Sequence, residues 1–193
     1  AAHRRLPAAC GVECLGGAKS QSGAWKRTRA RHDAVRLIGE SCESFADVAR
    51  ANGVSLERAL QPNLWADIDP KRLEQVVFNL MGNAMKFTPK GGSIRVEAVR
   101  KSDAVRVRII DSGLGLRAED IAKLFEPFSQ VHDTMQKTNS GTGLGLYICR
   151  GIVESHAGRI GCESPGPGHG ATFWFTIPAA DGPATETPIP QVN

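Results

Sequence analysis

A change of period constrains this chain more than any other feature. Leu73, Val76, Val77, Leu80, Met81 and Ala84 recur at helical spacing, whereas residues 94 to 99 and 105 to 110 alternate apolar with charged side chains. A stripe of period 3.6 buries one face of a helix, and a period of 2 buries one face of a sheet. The two faces satisfy each other when helices cover one side of a largely antiparallel sheet. Asp69-Pro70 suits the helix start, since Asp caps free amides and proline's fixed φ fits the first helical position. Residues 89 to 92, with Pro89 and two glycines, stop it, and Lys101-Ser102-Asp103 makes a hairpin of the two alternating stretches.

The remaining segments extend this pattern. Val35, Leu37 and Ile38, then Cys42, Phe45, Val48 and Ala49, read as a short extended piece followed by an amphipathic helix that Asn52-Gly53 ends. Residues 54 to 60 and 64 to 68 read as short strands, and 119 to 124 as a short helix. Residues 129 to 140 are polar, with almost nothing to bury. Residues 144 to 156 form a second amphipathic helix closed by Ala157-Gly158, and 159 to 164 with 171 to 177 a second hairpin. The expected fold is α+β: a two-layer sandwich with a mixed, mostly antiparallel sheet and helices on one face. Residues 1–31 are expected to be a flexible basic lead-in, 32–178 the domain, and 179–193 a proline-rich tail or linker.

A chain of 193 residues with 41% hydrophobic content suits one core. No run approaches the roughly 18 apolar residues of a membrane span, and the first residues lack the apolar stretch of a signal peptide. We therefore expect a cytoplasmic location, including as the cytoplasmic part of a membrane-bound protein. Five cysteines, Cys10, Cys14, Cys42, Cys149 and Cys162, contain no C-x-x-C pair and read as reduced thiols. The net charge of +4 divides into +6 over residues 1–36 and −2 over the rest. The basicity belongs to the lead-in, and no nucleic-acid partner is expected.

Three clusters bear on chemistry. Asn79, Asn83 and Lys86 fall at i, i+4 and i+7, on one helix face away from the apolar stripe. They form either a solvated polar face or a site where neutral amide oxygens complete the shell of a phosphate-bound Mg²⁺ while Lys86 neutralises phosphate. Gly82 between the asparagines costs about 1 kcal/mol against alanine, which points to a packing or site reason. Asp111-Ser112-Gly113-Leu114-Gly115-Leu116 follows a strand directly. It is either an ordinary turn or a place where backbone approaches a flat ligand and the carboxylate accepts from an exocyclic amine such as adenine's. Gly141-Thr142-Gly143-Leu144-Gly145-Leu146 opens a helix, where backbone amides attract phosphate, but with neither Rossmann nor Walker A spacing. No serine, cysteine or histidine set supports nucleophilic catalysis. His156 reads as a helix C-terminal residue facing the dipole, and the strand arginines with Glu97 as the solvated side of the sheet.

These segments, in this order, resemble the catalytic and ATP-binding domain of bacterial sensor histidine kinases, in the superfamily that includes DNA gyrase, MutL-type ATPases and anti-sigma kinases. The run from Arg72 through Asn79, Asn83 and Lys86 to Pro89 resembles the asparagine box, and the Asp111 loop the first glycine box. Phe125-Glu126-Pro127-Phe128 resembles the phenylalanine box, the Gly141 loop the second glycine box, and Gly166-Pro167-Gly168-His169-Gly170-Ala171-Thr172-Phe173 the closing glycine-threonine segment. The resemblance runs from about residue 33 to 178.

It implies a Bergerat-type fold with ATP and Mg²⁺ as cofactors. Asn79 and Asn83 would hold the metal, Lys86 would contact phosphate, and Asp111 would read the adenine amine. Gly113 and Gly115 would shape the base pocket, and Thr172 would support Asp111. Gly141, Thr142, Gly143, Leu144, Gly145 and Leu146 would meet the phosphates, residues 129 to 140 would form the lid, and Phe125 and Phe128 would anchor it. ATPases of the superfamily carry a glutamate four residues before the metal asparagine. Asn79 stands there, and an amide cannot accept a proton from water. The implied activity is protein-histidine kinase, with Asn79, Asn83 and Lys86 the catalytic set. The acceptor histidine is expected on a dimerisation domain outside this chain, because His32 lies too near Asn83 for a helical hairpin to fit between them. Dimerisation would occur through that domain, and a response regulator would lie downstream. The alternatives are an ATPase of the same superfamily and a nucleotide-binding switch without chemistry.

Overall fold

The computed structural model describes residues 29–129 and 143–182. Five strands form one sheet in the order β2-β4-β5-β7-β6, from β2 (Ser55–Leu60), β4 (Ser93–Lys101), β5 (Ala104–Asp111), β6 (Arg159–Glu163) and β7 (Ala171–Pro178). β2 runs parallel to β4 and the other pairs are antiparallel. β1 (Ala30–Asp33) and β3 (Trp65–Ile68) form a separate antiparallel ribbon. The helices are α1 (Ala34–Asn52), α2 (Pro70–Phe87), α3 (Ala118–Ile121) and α4 (Gly145–Ser155). This is the expected α+β sandwich, with one sheet face covered by α1, α2 and α4.

The period change explains the layers. Ile94, Val96 and Ala98 of β4, Val105, Val107 and Ile109 of β5, and Phe173, Phe175 and Ile177 of β7 are buried on the covered face. Val76, Val77, Leu80 and Met81 of α2 meet them with no exposed surface. Burying each such side chain contributes about 1.5 to 3 kcal/mol. α2 begins as expected, with Asp69 accepting from Arg72 N at 3.2 Å and Pro70 in the first turn. Gly53 ends α1 at φ +66°, and its N–H reaches Ala49 O and Arg50 O.

Several boundaries differ from expectation. Val35, Leu37 and Ile38 are helical, and the extended piece lies earlier, at Ala30–Asp33. Asp33 decides this, because its side chain caps α1 by accepting from Val35 N at 3.0 Å. At the end of α4 the left-handed residue is Ala157, at φ +56°. Gly158 instead clears the backbone of β7, where a side chain would collide with Thr176 O. After β7 the chain stays hydrogen-bonded to the domain: Ala179 N donates to Asp103 O and Ala180 N to Trp65 O, both at 2.7 Å.

The open face of the sheet is less solvated than its charge suggests. Arg108 pairs with Glu97 at 3.1 Å, and the Arg106 guanidinium lies 5.4 Å from the Trp174 ring centroid. His156 closes α4 as expected and is also buried. Nδ1 lies 2.8 Å from Ile152 O in the last turn of the helix, and Nε2 accepts from Asp69 N at 3.0 Å. A carbonyl only accepts, so Nδ1 carries the hydrogen of that bond. His156 thus ties the end of α4 to the start of α2.

Candidate functional site

α2 supplies one wall of the site. Its apolar stripe faces the sheet, which leaves Asn79 and Asn83 half-buried and Lys86 exposed on the flank. Asn79 faces the first turn of α4: a Cβ at Gly145 would stand 3.5 Å from Asn79 Oδ1. Asn79 also hydrogen-bonds the Cys149 thiol, an effect that opposes burial, which pushes that thiol up to about 11. Lys86 Nζ lies 5.2 Å from the Phe87 ring centroid. Gly82 has no packing reason, since a Cβ there would meet nothing within 4 Å.

The end of α2 is joined to the loop after β5. Phe87 O accepts from Leu114 N at 3.3 Å, and a Cβ at Gly113 would stand 2.5 Å from that same oxygen. Only glycine fits such an approach. On its other side the loop meets residues 164–170: Gly113 O accepts from Gly170 N at 3.0 Å and Leu114 O from Gly168 N at 2.6 Å. Gly115, at φ +66°, lies where a side chain would strike Gly166 O. Ser164 Oγ closes this clamp, accepting from Leu116 N at 3.0 Å and donating to Gly170 O at 2.7 Å.

Asp111 is the buried acid of the site. It ends β5 on the covered face, and its Oδ1 accepts from Gly113 N at 2.9 Å and Ala171 N at 3.2 Å. Both bonds go to one oxygen, so Oδ2 keeps its lone pairs for a donor. Burial raises the Asp111 pKa above the usual carboxylate value, and the two backbone N–H groups oppose that rise. Burial likewise pushes the neighbouring Cys162 thiol up to about 12, with the charges of Asp111 and Glu163 adding to it.

Thr172 is not beside Asp111. The register pairs Asp111 with Ala171 and places Thr172 opposite Ile110 and Glu163, on the open face. A one-residue offset turns a strand side chain to the other side of the sheet. Support for Asp111 comes from the Ala171 backbone. Sequence reasoning missed this donor and Ser164, because neither a backbone N–H nor a lone serine leaves a pattern.

The second glycine loop is described from Gly143 onward; Gly141 and Thr142, with residues 130 to 140, lie outside the described residues. Gly143, at φ +69°, packs on the backbone of Phe128. Leu144 caps α4, and Leu146 packs against the core. Phe125 also packs on the core, whereas Phe128 is 73% exposed. The N-terminus of α4 therefore opens beside Asn79, and the Asp111 loop is fastened to the far end of α2.

The arrangement is that of an α/β sandwich with a buried acid at a strand end and a glycine-opened helix beside Asn79. Residues 68–181 match the family of histidine kinase-, DNA gyrase B- and HSP90-like ATPases. The chain belongs to this family. It is 38% identical over 150 residues to a non-motile and phage-resistance protein of Caulobacter vibrioides, covering 76% of this chain and 17% of that protein. It is 36% identical over 146 residues to the circadian input-output histidine kinase CikA of Synechococcus elongatus, covering 74% and 19%. The chain thus spans about a fifth of the length of these relatives. Among solved structures, the catalytic domain of histidine kinase ThkA aligns with a TM-score of 0.68 at 31% identity, covering 78% of this chain and 95% of that one. Full-length ShkA in complex with AMPPNP aligns with a TM-score of 0.70 at 30% identity, covering 81% and 32%. No helix among the described residues is long and apolar enough to cross a membrane.

Proposed function

We propose that this chain binds ATP with Mg²⁺ and donates the γ-phosphoryl group to a histidine on a dimerisation domain outside it. The observation that carries this reading is Asn79. It stands beside the first turn of α4, hydrogen-bonded to Cys149, where a hydrolase of this family would need a carboxylate. An amide cannot take a proton from water, so the phosphoryl group is left for another nucleophile.

Asp111 Oδ2 accepts from the exocyclic amine of adenine, while Gly113 and Gly115 keep the base pocket free of side chains. Backbone amides of Gly143, Leu144, Gly145 and Leu146, at the N-terminus of α4, take phosphate oxygens, and Lys86 neutralises them. The donor set fits Mg²⁺, because Asn79 and Asn83 offer neutral hard oxygens about one helical turn apart, with Asn79 beside this helix end. Two amides leave most of the shell to phosphate and water, and the bound ion would screen the charge that develops during transfer. The unprotonated nitrogen of the acceptor imidazole attacks the γ-phosphorus, the bond to the bridging oxygen breaks, ADP leaves with that oxygen, and the other ring nitrogen gives up its proton to solvent.

A response regulator is the downstream partner, supported by the solved complex of ThkA with the response regulator TrrA, to which this chain aligns at 29% identity with a TM-score of 0.66. The setting is cytoplasmic. The test mixes this chain, γ-labelled ATP and a dimerisation domain bearing its acceptor. Acid-labile phosphohistidine is expected, with little free phosphate when the acceptor is absent. Rapid phosphate release without acceptor would favour the ATPase reading, and binding with neither product a switch.

A further inference from the structure

At the end of the sheet remote from Asp111, the open face holds a cleft of about 520 Å³ lined by Lys101, Arg106, Arg159, Trp174, Thr176 and Pro178, among others. That volume lies within the range of small-molecule sites. The register explains the assembly. Arg106 and Arg159 each pair with Thr176, one from β5 and one from β6, so they flank it on the same face. Two strand spacings put their backbones about 10 Å apart, close enough for both long side chains to reach one group between them. Lys101 stands at the adjoining β4–β5 turn.

The chemistry of the lining is one-sided. Asp103 is the one acid of the cleft against three cations. Arg106 has a distant pairing with Glu163 at 3.8 Å, and Lys101 and Arg159 make no ion pair among the described residues. Thr176 Oγ accepts from Arg159 N at 3.2 Å, which leaves its proton to donate. Arg106 Nε and Trp174 Nε1 are buried and make no hydrogen bond among the described residues, so neither faces the cleft. The Trp174 ring, which lies between Gly161 and the Arg106 guanidinium, lines the cleft together with Pro178. Cations beside an aromatic edge and a proline suit an anion with a flat apolar body.

We propose that this cleft is a second ligand site that takes a small flat organic anion, its phosphate or carboxylate held between Arg106, Arg159 and Lys101 and its body beside Pro178 and the edge of Trp174. Along β5 the cleft is some seven residues from Asp111, roughly 20 Å at strand rise, and on the opposite face. It is therefore separate from the nucleotide site and does not depend on how that site is read.

The test titrates the full chain with phenyl phosphate, benzoate, inorganic phosphate and phenol, following the Trp174 indole N–H by NMR, assigned with Trp174→Phe. Saturable shifts are expected for phenyl phosphate or benzoate, about tenfold tighter than for inorganic phosphate or phenol; which one binds tighter distinguishes phosphate from carboxylate. Arg159→Gln and Lys101→Gln should each weaken binding by about three- to tenfold while leaving the melting temperature unchanged. Asp111→Asn should leave the affinity for the ligand unchanged. Absence of a saturable shift, binding that survives both substitutions together, or loss of binding in Asp111→Asn would overturn the proposal.

Discussion

Asp111→Asn separates the reading of the base from the stability of the fold. Asn keeps the shape of the side chain, and its carbonyl can still accept from Gly113 N and Ala171 N, the bonds that Oδ1 makes at 2.9 and 3.2 Å. Its amide nitrogen then replaces Oδ2 and turns a donor toward the adenine amine. A charged hydrogen bond contributes about 1.5 to 3 kcal/mol, so ATP affinity should fall about 10- to 150-fold. Folding should respond oppositely. Burial raises the Asp111 pKa, so the native state holds its proton where the unfolded chain has lost it. Stability from this group is therefore present below the ordinary carboxylate value and falls as pH rises through the raised one. At pH 7 the native carboxylate is a burden, and the amide variant should melt no lower than wild type. Calorimetric titration with AMPPNP and with the inosine analogue, beside thermal melts, checks both parts. Wild type should prefer the 6-amino base, and the variant should lose or invert that preference, since an amide N–H can donate to a 6-oxo group. Unchanged AMPPNP affinity in a folded variant would refute the adenine role of Asp111.

Gly113→Ala should lower both nucleotide affinity and stability, the latter by about 1 to 3 kcal/mol, because its Cβ would stand 2.5 Å from Phe87 O; melts and AMPPNP titration report both. Gly82→Ala should stabilise the fold by up to about 1 kcal/mol, since a Cβ there would meet nothing within 4 Å, and a loss of ATP affinity alongside would mark Gly82 as part of the site. His156→Ala should cost about 1 to 3 kcal/mol, because Asp69 N loses its acceptor, with AMPPNP affinity in the folded protein unchanged. The Cys42, Cys149 and Cys162 thiols are pushed up to about 11, 11 and 12, mainly by burial. Their alkylation, followed by peptide mass spectrometry, should be slow at pH 8 and accelerate steeply on unfolding.

The layers, the limits of α2 and the end of α1 were legible because each rests on local chemistry. Periods of 3.6 and 2 name the buried faces, and Asp69-Pro70 and Gly53 mark helix ends without help from distant residues. The Asp33 cap of α1 is equally local and was missed. The rest of what escaped depends on contacts between distant segments. The ribbon of β1 and β3 pairs residues more than 30 positions apart, with Ala30 opposite Ile68. His156 is buried because α2 begins above it, which nothing near residue 156 announces. The family pattern pointed to the Asp111 end of the sheet but slipped by one residue at Thr172. Only pairing with β5 shows which face each residue of β7 takes.

Asn79 places the heaviest demand on the chemistry, and Asn79→Glu tests it. The glutamate would bring a carboxylate to the first turn of α4, where the amide now faces Gly145 and the Cys149 thiol. A positioned general base contributes roughly 10²- to 10⁴-fold to proton transfer from water. The variant should therefore release phosphate from ATP without acceptor at least about tenfold faster than wild type, after some loss because the longer side chain reaches a different point. Phosphohistidine yield on an added dimerisation domain should fall in parallel, because water then competes for the same phosphorus. Asn79→Ala is the control. It removes the amide without supplying a base, so it should lower ATP affinity and leave hydrolysis slow. If the glutamate and alanine variants hydrolyse ATP equally slowly while both bind it, the missing base does not protect the phosphoryl group. The distinction between kinase and hydrolase would then lie outside α2.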